Sequence, residues 1–176
     1  VKKHTLLVCE QFEKYAFEFD NKCMNIDLMR LVLAVHDIGK AIDRSTQHEH
    51  TLSLVRELWV NTPFTDYELN LVEVLLKDDH IGSYFQNKYD LSDLKEEIVA
   101  AATELKMSPL TLLQYKMILY QCDIASYTKD AGGLKYLEHM FVYENEEKTF
   151  DEKNGIIAMS EEYADKYVNL KESINE

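Results

Sequence analysis

Apolar residues recur along most of this chain at intervals of three and four, which is the spacing of an amphipathic α-helix. The segment from residue 26 to residue 35 is apolar at most positions and long enough to be a core helix. The predicted helices cover residues 3–19, 26–38, 67–77, 94–105, 110–127 and 155–174, together with a helix through Leu52 and Trp59 and a short one at residues 136–143.

Residues that begin helices stand between these segments. Thr65 and Glu68 have the spacing of a capping box. Ser108 before Pro109 is typical of an N-cap followed by proline in the first turn. Only 5 Gly and 2 Pro occur in 176 residues, which is few for a sandwich or a barrel. The sequence therefore predicts an all-α protein, a bundle of about six to eight helices in a single domain.

Charge and cysteine content narrow the range of partners. The formal net charge of −13 at pH 7 opposes binding to a long nucleic acid, because phosphate contacts need many Lys and Arg side chains. Cys9, Cys23 and Cys122 are widely spaced, which favours reduced thiols and a cytoplasmic location. No apolar run approaches the roughly 20 residues of a membrane span, so no membrane association is expected. The sequence begins with Val1 rather than methionine, which leaves room for a preceding segment, and a homo-oligomer stays open.

The apolar segment ends abruptly in His36, Asp37, Gly39 and Lys40. These residue types are poor choices for a helix that only packs. Adjacent helical residues lie about 100° apart around the axis, so His36 and Asp37 can share one ion only near the helix end, where Gly39 lets the backbone bend. Imidazole nitrogen and carboxylate oxygen suit a metal ion of intermediate hardness. The alternative is a satisfied polar pair at a helix terminus.

Further candidate ligands lie before and after this pair. Asp123 stands within an apolar helix, where a buried carboxylate needs a cation or hydrogen-bond donors as compensation. His4 lies in the first turn of the first helix, where an exposed or capping histidine is the alternative. His48 and His50 are two positions apart, so on a helix they point in different directions and do not chelate one ion together.

An early histidine, a His-Asp doublet and a late aspartate together resemble the pattern of the HD-domain superfamily of metal-dependent phosphohydrolases. The resemblance covers residues 4–127 and implies an HD-domain-like helical bundle in which His4, His36, Asp37 and Asp123 hold a divalent metal ion. It does not distinguish among Mn, Mg, Zn, Fe, Co and Ni. Residues 131–176 lie outside it, and we expect them to form a helical extension for packing or assembly.

The resemblance also implies a role for Lys40. Gly-Lys directly after the doublet is common in the family, which implies that Lys40 contacts a phosphate. Independently of the resemblance, Lys40 with Arg44 can supply a local basic pocket for one small phosphate in this acidic chain. The alternative for Lys40 is a solvated lysine that interacts favourably with the dipole at a helix C-terminus.

Two further histidines match family positions. His48 matches a histidine at the start of the following helix and is expected to face the pocket, which leaves His50 at the surface. His80 matches a position where the family often has one or two histidines. His48 and His80 are therefore expected to orient the phosphate, move protons or hold a second metal ion. Asp79 stands where a second histidine would be, which disfavours a complete two-metal site.

The function that the resemblance implies is metal-dependent hydrolysis of a nucleotide or another small phosphoester. The expected catalytic residues are Asp37, Lys40, His48 and His80, and the expected substrate-binding residues are Lys40, Arg44 and His80. Two other classes stay open: a non-catalytic HD module that binds a nucleotide or a partner protein in regulation, and a di-iron oxygenase of the HD type. Metal analysis separates them, because turnover with one ion favours the hydrolase and two irons favour the oxygenase.

Overall fold

The structure, a computed structural model, describes residues 2–19 and 24–175 and is predominantly helical. Its eight α-helices confirm the all-α prediction. They cover Lys2–Phe19 (α1), Ile26–Val35 (α2), Gln47–Trp59 (α3), Asp66–Leu76 (α4), His80–Phe85 (α5), Leu91–Glu104 (α6), Pro109–Ala125 (α7) and Glu161–Asn175 (α8). Cys9 and Cys122 are free thiols as predicted, whereas Cys23 lies outside the described residues.

The second helix ends earlier than predicted. α2 stops at Val35 instead of residue 38, and a 3₁₀ turn, Ile38–Ala41, follows the doublet. Gly39 explains this path, because its backbone N–H donates to Thr51 Oγ1 at 3.0 Å and a Cβ at this position would collide with the backbone of Gln47 and Thr51. The turn is therefore packed directly onto the start of α3, which redirects the chain at His36 and Asp37.

Helix α7 is the centre of the bundle. It packs against α1, α2, α4, α5, α6 and α8, and its side chains are buried on nearly every side. Pro109 begins it at the first helical position, as predicted, and the Thr65 capping box at α4 is also formed. Because α7 touches most other helices, a polar side chain on it lies close to residues from several parts of the chain.

The C-terminal part differs from the prediction. Residues 136–143 are not a helix: Glu138–Met140 form one 3₁₀ turn, and two short antiparallel hairpins follow. Their strands are Tyr143–Glu144 (β1) with Glu147–Lys148 (β2), and Phe150–Asp151 (β3) with Ile156–Ile157 (β4). α8 accordingly begins at Glu161 rather than at residue 155.

Side chains of the helical bundle explain these strands. The Gln121 amide on α7 donates to the Ile157 carbonyl at 2.8 Å and accepts from the Ile157 N–H at 2.9 Å, so it acts as a strand neighbour for β4. The Tyr15 hydroxyl donates to the Lys148 carbonyl at 2.9 Å. Buried residues of the hairpins and of α8 belong to the same hydrophobic core as the earlier helices. Within the described part of the chain, no helix is both long and apolar enough to cross a membrane.

Candidate metal centre

The four predicted metal ligands come from three helical segments and meet at one point. His4 lies in the first turn of α1, His36 and Asp37 directly follow α2, and Asp123 lies in the last turn of α7. His4 Nε2 is 2.8 Å from Asp123 Oδ1 and 3.5 Å from Asp37 Oδ2. His36 Nε2 is 3.7 Å from each of the same two oxygen atoms. Side-chain exposure is 8% for His4, His36 and Asp37, but 35% for Asp123, which is half-buried rather than buried as predicted.

These distances fit ligands around one ion. Metal bonds of about 2.1 Å place neighbouring ligand atoms about 3.0 to 3.4 Å apart in octahedral or tetrahedral geometry. His4 Nε2, His36 Nε2 and Asp123 Oδ1 are buried and have no hydrogen-bond partner among the described residues. Buried polar atoms are normally paired, because desolvation without a partner is costly. A grouping of His4, His36 and Asp37, with Asp123 beside it, can therefore hold a metal ion.

Hydrogen bonds at Nδ1 hold His4 and His36 in the tautomer that leaves Nε2 unprotonated, as a metal ion requires. His36 Nδ1 is 2.7 Å from the Leu33 carbonyl, so it carries the proton and leaves the Nε2 lone pair directed at the cluster. His4 Nδ1 is 3.0 Å from Ser126 Oγ, whose own hydroxyl donates to the Asp123 carbonyl at 2.6 Å. Ser126 therefore accepts from His4, and the lone pair of His4 Nε2 is directed at the same point.

The charges of the cluster are strongly coupled. Burial by itself raises the pKa of Asp123, but the imidazoles of His36 and His4 outweigh it and hold that pKa well below its usual value. Burial opposes a charge on His36, yet Asp123 and Asp37 raise its pKa above the ordinary 6.5. A proton on His36 thus compensates the carboxylates when the centre holds no cation, and protons compete with a metal ion for this nitrogen.

Lys40 lies beside the centre. Its Nζ is 2.7 Å from Asp37 Oδ2, and its side chain is 29% exposed. Lys40 lines a cavity of about 120 Å³ that also borders His36, Asp37 and Asp123. Lys40 therefore pairs with the carboxylate of a candidate ligand and also lines the cavity.

The structure brings most of the other predicted site residues to this cavity. His48 and His80 both line it, whereas Arg44 is an exposed loop residue and is not among the described residues that line it. The His48 ring is held by its Nδ1 at 3.0 Å from the Leu76 carbonyl. His50 is half-buried rather than exposed, and it does not belong to the described lining of the cavity.

His80 belongs to a second grouping of candidate ligands, which does not include His48. Within the described residues, His80 is instead grouped with Asp78 and Glu97, whose ligand atoms lie within 4.8 Å of one another. His80 Nδ1 is 2.5 Å from Glu97 Oε2, and its ring stacks on Tyr89 with 4.3 Å between centroids. A second ion at His80 thus has Asp78 and Glu97 as candidate ligands, whereas its sharing with His48 stays a prediction.

Asp79 has a structural role at this end of the cavity. It is the N-cap of α5, and its Oδ1 accepts the Gly82 N–H at 3.0 Å. A Cβ at position 82 would collide with that carboxylate, so the glycine gives the cap its room. Asp79 is therefore explained as a capping residue.

The sequence does not predict two charged residues at or beside the cavity, Glu97 and Lys116. Glu97 belongs to α6, and Lys116 belongs to the apolar central helix α7. A signal for Lys116 existed, because it stands seven residues before Asp123 and hence two turns away on the same helix face.

No family model, no curated protein and no solved structure matches this chain.

Proposed function

We propose that this protein is a metal-dependent phosphohydrolase that acts on a nucleotide or another small phosphoester. One observation supports the proposal most strongly. His4 Nε2, His36 Nε2 and Asp123 Oδ1 converge, and these buried atoms, each able to ligate a metal ion, have no hydrogen-bond partner among the described residues. They converge beside a cavity that also contains the Lys40 ammonium.

The donor set indicates which ions would bind. Two imidazole nitrogens and two carboxylates suit Mn²⁺, Fe²⁺, Co²⁺, Ni²⁺ and Zn²⁺ better than Mg²⁺, which prefers oxygen ligands. When bound, such an ion lowers the pKa of a coordinated water and neutralises charge on a phosphoryl group. His4, His36, Asp37 and Asp123 would hold it.

The protein's own groups orient the ligands and the phosphate. Ser126 and the Leu33 carbonyl fix the two imidazole rings, which is the kind of support that metal-ligating histidines need. Lys40 would hold a phosphoryl oxygen, since its side chain is 29% exposed and lines the cavity, and an ammonium cannot ligate a cation.

His80 is the best-placed group to move a proton. Its Nδ1 hydrogen is directed to Glu97, so Nε2 is the atom left to exchange a proton with a leaving group. His48 has the corresponding arrangement, with Nδ1 on the Leu76 carbonyl, but its Nε2 lies 3.4 Å from the Gln47 amide nitrogen. We therefore assign proton transfer to His80 and phosphate orientation to His48.

The size and charge of the molecule favour a small substrate. The cavity of about 120 Å³ accommodates a phosphoryl group and part of its ester substituent. The formal net charge of −13 disfavours a long polyanion. A nucleotide or a similarly small phosphoester fits both constraints.

The test is turnover by reconstituted protein. Chelator-treated protein is loaded with each divalent metal in turn and assayed against a panel of nucleotides, phosphomonoesters and phosphodiesters. We expect metal-dependent release of phosphate or nucleotide that Asp123→Asn abolishes. The control Asp93→Asn, an exposed site on α6, should retain it. Metal binding without turnover on any substrate would favour the regulatory module instead, and turnover by Asp123→Asn would refute the site.

A further inference from the structure

Lys116 is an almost fully buried cation in the same cavity as the metal centre. It is 4% exposed and is located on α7 two helical turns before Asp123. Both side chains line the cavity. The proposed mechanism assigns no role to this ammonium.

The Lys116 ammonium lies between two carboxylates. Its Nζ is 3.6 Å from Asp78 Oδ1 and 3.6 Å from Glu97 Oε1. Both separations exceed the usual length of a hydrogen bond, so the ammonium is shared by the two carboxylates rather than bonded to one of them. Glu97 Oε1 is buried and has no hydrogen-bond partner among the residues that the structure describes.

The same two carboxylates belong, with His80, to the grouping that has metal-ligand spacing. An ion at its centre would lie within a few ångströms of the Lys116 ammonium, where repulsion between cations is strong. Burying a lysine is favourable only while its carboxylate partners remain with it. Lys77 Nζ is also 3.7 Å from Asp78 Oδ2 and 3.9 Å from Glu97 Oε1, but its side chain is 42% exposed and solvent screens its charge. Lys116 is therefore the buried cation that already provides positive charge to this grouping.

We propose that the Lys116 ammonium takes the place of a second metal ion, so that the cavity holds one metal ion and Lys116, in addition to Lys40, supplies positive charge to the phosphoryl group. This inference rests on the proposed function for the first ion and for the phosphate. It identifies Lys116 as a substrate-binding residue, and Asp78 and Glu97 as the residues that position its ammonium.

The experiment is a titration of chelator-treated protein with Mn²⁺, followed by calorimetry and by the electron paramagnetic resonance signal of the bound ion. Wild type should bind one equivalent of Mn²⁺ and show the resonance signal of an isolated ion. Asp123→Asn should not bind this equivalent. Lys116→Gln should bind a second, weaker equivalent of Mn²⁺, because the carboxylates of Asp78 and Glu97 lose their buried cation and keep only the more exposed Lys77. The control Lys135→Gln, an exposed loop lysine, should bind one.

Each outcome of the Mn²⁺ titration either supports or overturns the inference about Lys116. Two equivalents in wild type, one of them lost in Glu97→Gln, would overturn the inference and leave the proposed function intact. A single equivalent in folded Lys116→Gln would also overturn it. Binding of no Mn²⁺ by wild type would overturn the metal centre itself and this inference with it. If Lys116→Gln does not fold, wild type and Glu97→Gln decide, since one equivalent in both supports the inference.

The phosphate contact has its own readout. With Mn²⁺ limited to one equivalent, inorganic phosphate should bind to Lys116→Gln about tenfold more weakly than to wild type, because a charged hydrogen bond is lost. Equal phosphate affinity would refute a contact between Lys116 and the phosphoryl group.

Discussion

Asp123→Asn combined with chelation is the sharpest test of the metal centre. The substitution keeps the shape of the side chain, and an amide N–H can donate to His4 Nε2, which is 2.8 Å from Asp123 Oδ1. In metal-free protein this hydrogen bond offsets part of the lost attraction between the carboxylate and the two imidazoles, and the contribution of the ion is the difference between melting curves with and without chelator. What changes is the charge of one ligand, so the two proteins should differ mainly in their response to the ion.

The magnitude follows from linkage between binding and folding. An ion present at one hundred times its Kd stabilises the folded state by about 2.7 kcal/mol. Since about 1 kcal/mol corresponds to about 2–4 °C in Tm for a domain of this size, chelation should lower the wild-type Tm by about 5–11 °C. Changes to groups that merely support a ligand cost about 10–100-fold in metal affinity. With 100-fold weaker binding, the same ion concentration stabilises by only about 0.4 kcal/mol, or about 1–2 °C.

The assay is a set of melting curves with and without chelator, together with metal content. The matched control is Asp79→Asn, which removes the same charge from the same cavity and keeps a good N-cap for α5. It should respond to chelator as wild type does. The drop in the wild-type Tm on chelation is moderated because Lys40 pairs with Asp37 and the imidazoles face Asp123.

Equal shifts of Tm on chelation in wild type and Asp123→Asn would refute the role of Asp123 as a metal ligand. An Asp123→Asn protein that retains its ion would refute it as well. Asp123 would then be a carboxylate that the two imidazoles alone compensate.

Three further outcomes are expected. Lys40→Ala should lower kcat/KM by about 10–100-fold while metal content is unchanged, because a charged contact to phosphate is lost; an unchanged rate would return Lys40 to the helix-end role. The raised pKa of His36 stabilises metal-free protein below pH 6.5, and this stabilisation is lost as pH rises through the raised pKa. The Tm of chelated protein should thus fall from pH 6 to higher pH while Mn²⁺ affinity rises, and a flat Tm would contradict the coupling. Gly39→Ala should destabilise by about 1–3 kcal/mol, since its Cβ would collide with the start of α3; denaturant unfolding with an unchanged midpoint would show that the turn can move.

Local pattern predicted most of the helices and several of the candidate metal ligands. Helical periodicity was sufficient for α1. Helices α4 and α7 also have a start signal, which is the Thr65 capping box in α4 and Ser108 before Pro109 in α7. The abrupt change from apolar to polar at His36 marked the doublet, and an acidic residue in an apolar helix marked Asp123. Both signals lie within a few residues of sequence, so no tertiary information was needed to find them.

Only the tertiary structure decided how these residues meet and which others join them. Helix α2 ends at Val35 because Gly39 packs on α3, a contact between segments that no local propensity encodes. The β4 strand depends on the Gln121 amide, 36 residues away in sequence. Lys116 finds its carboxylate partners on α6 and just before α5, although nothing in the pattern around Lys116 predicts either one. Periodicity reports which face of an element is buried, whereas the partner of a buried charge depends on long-range packing.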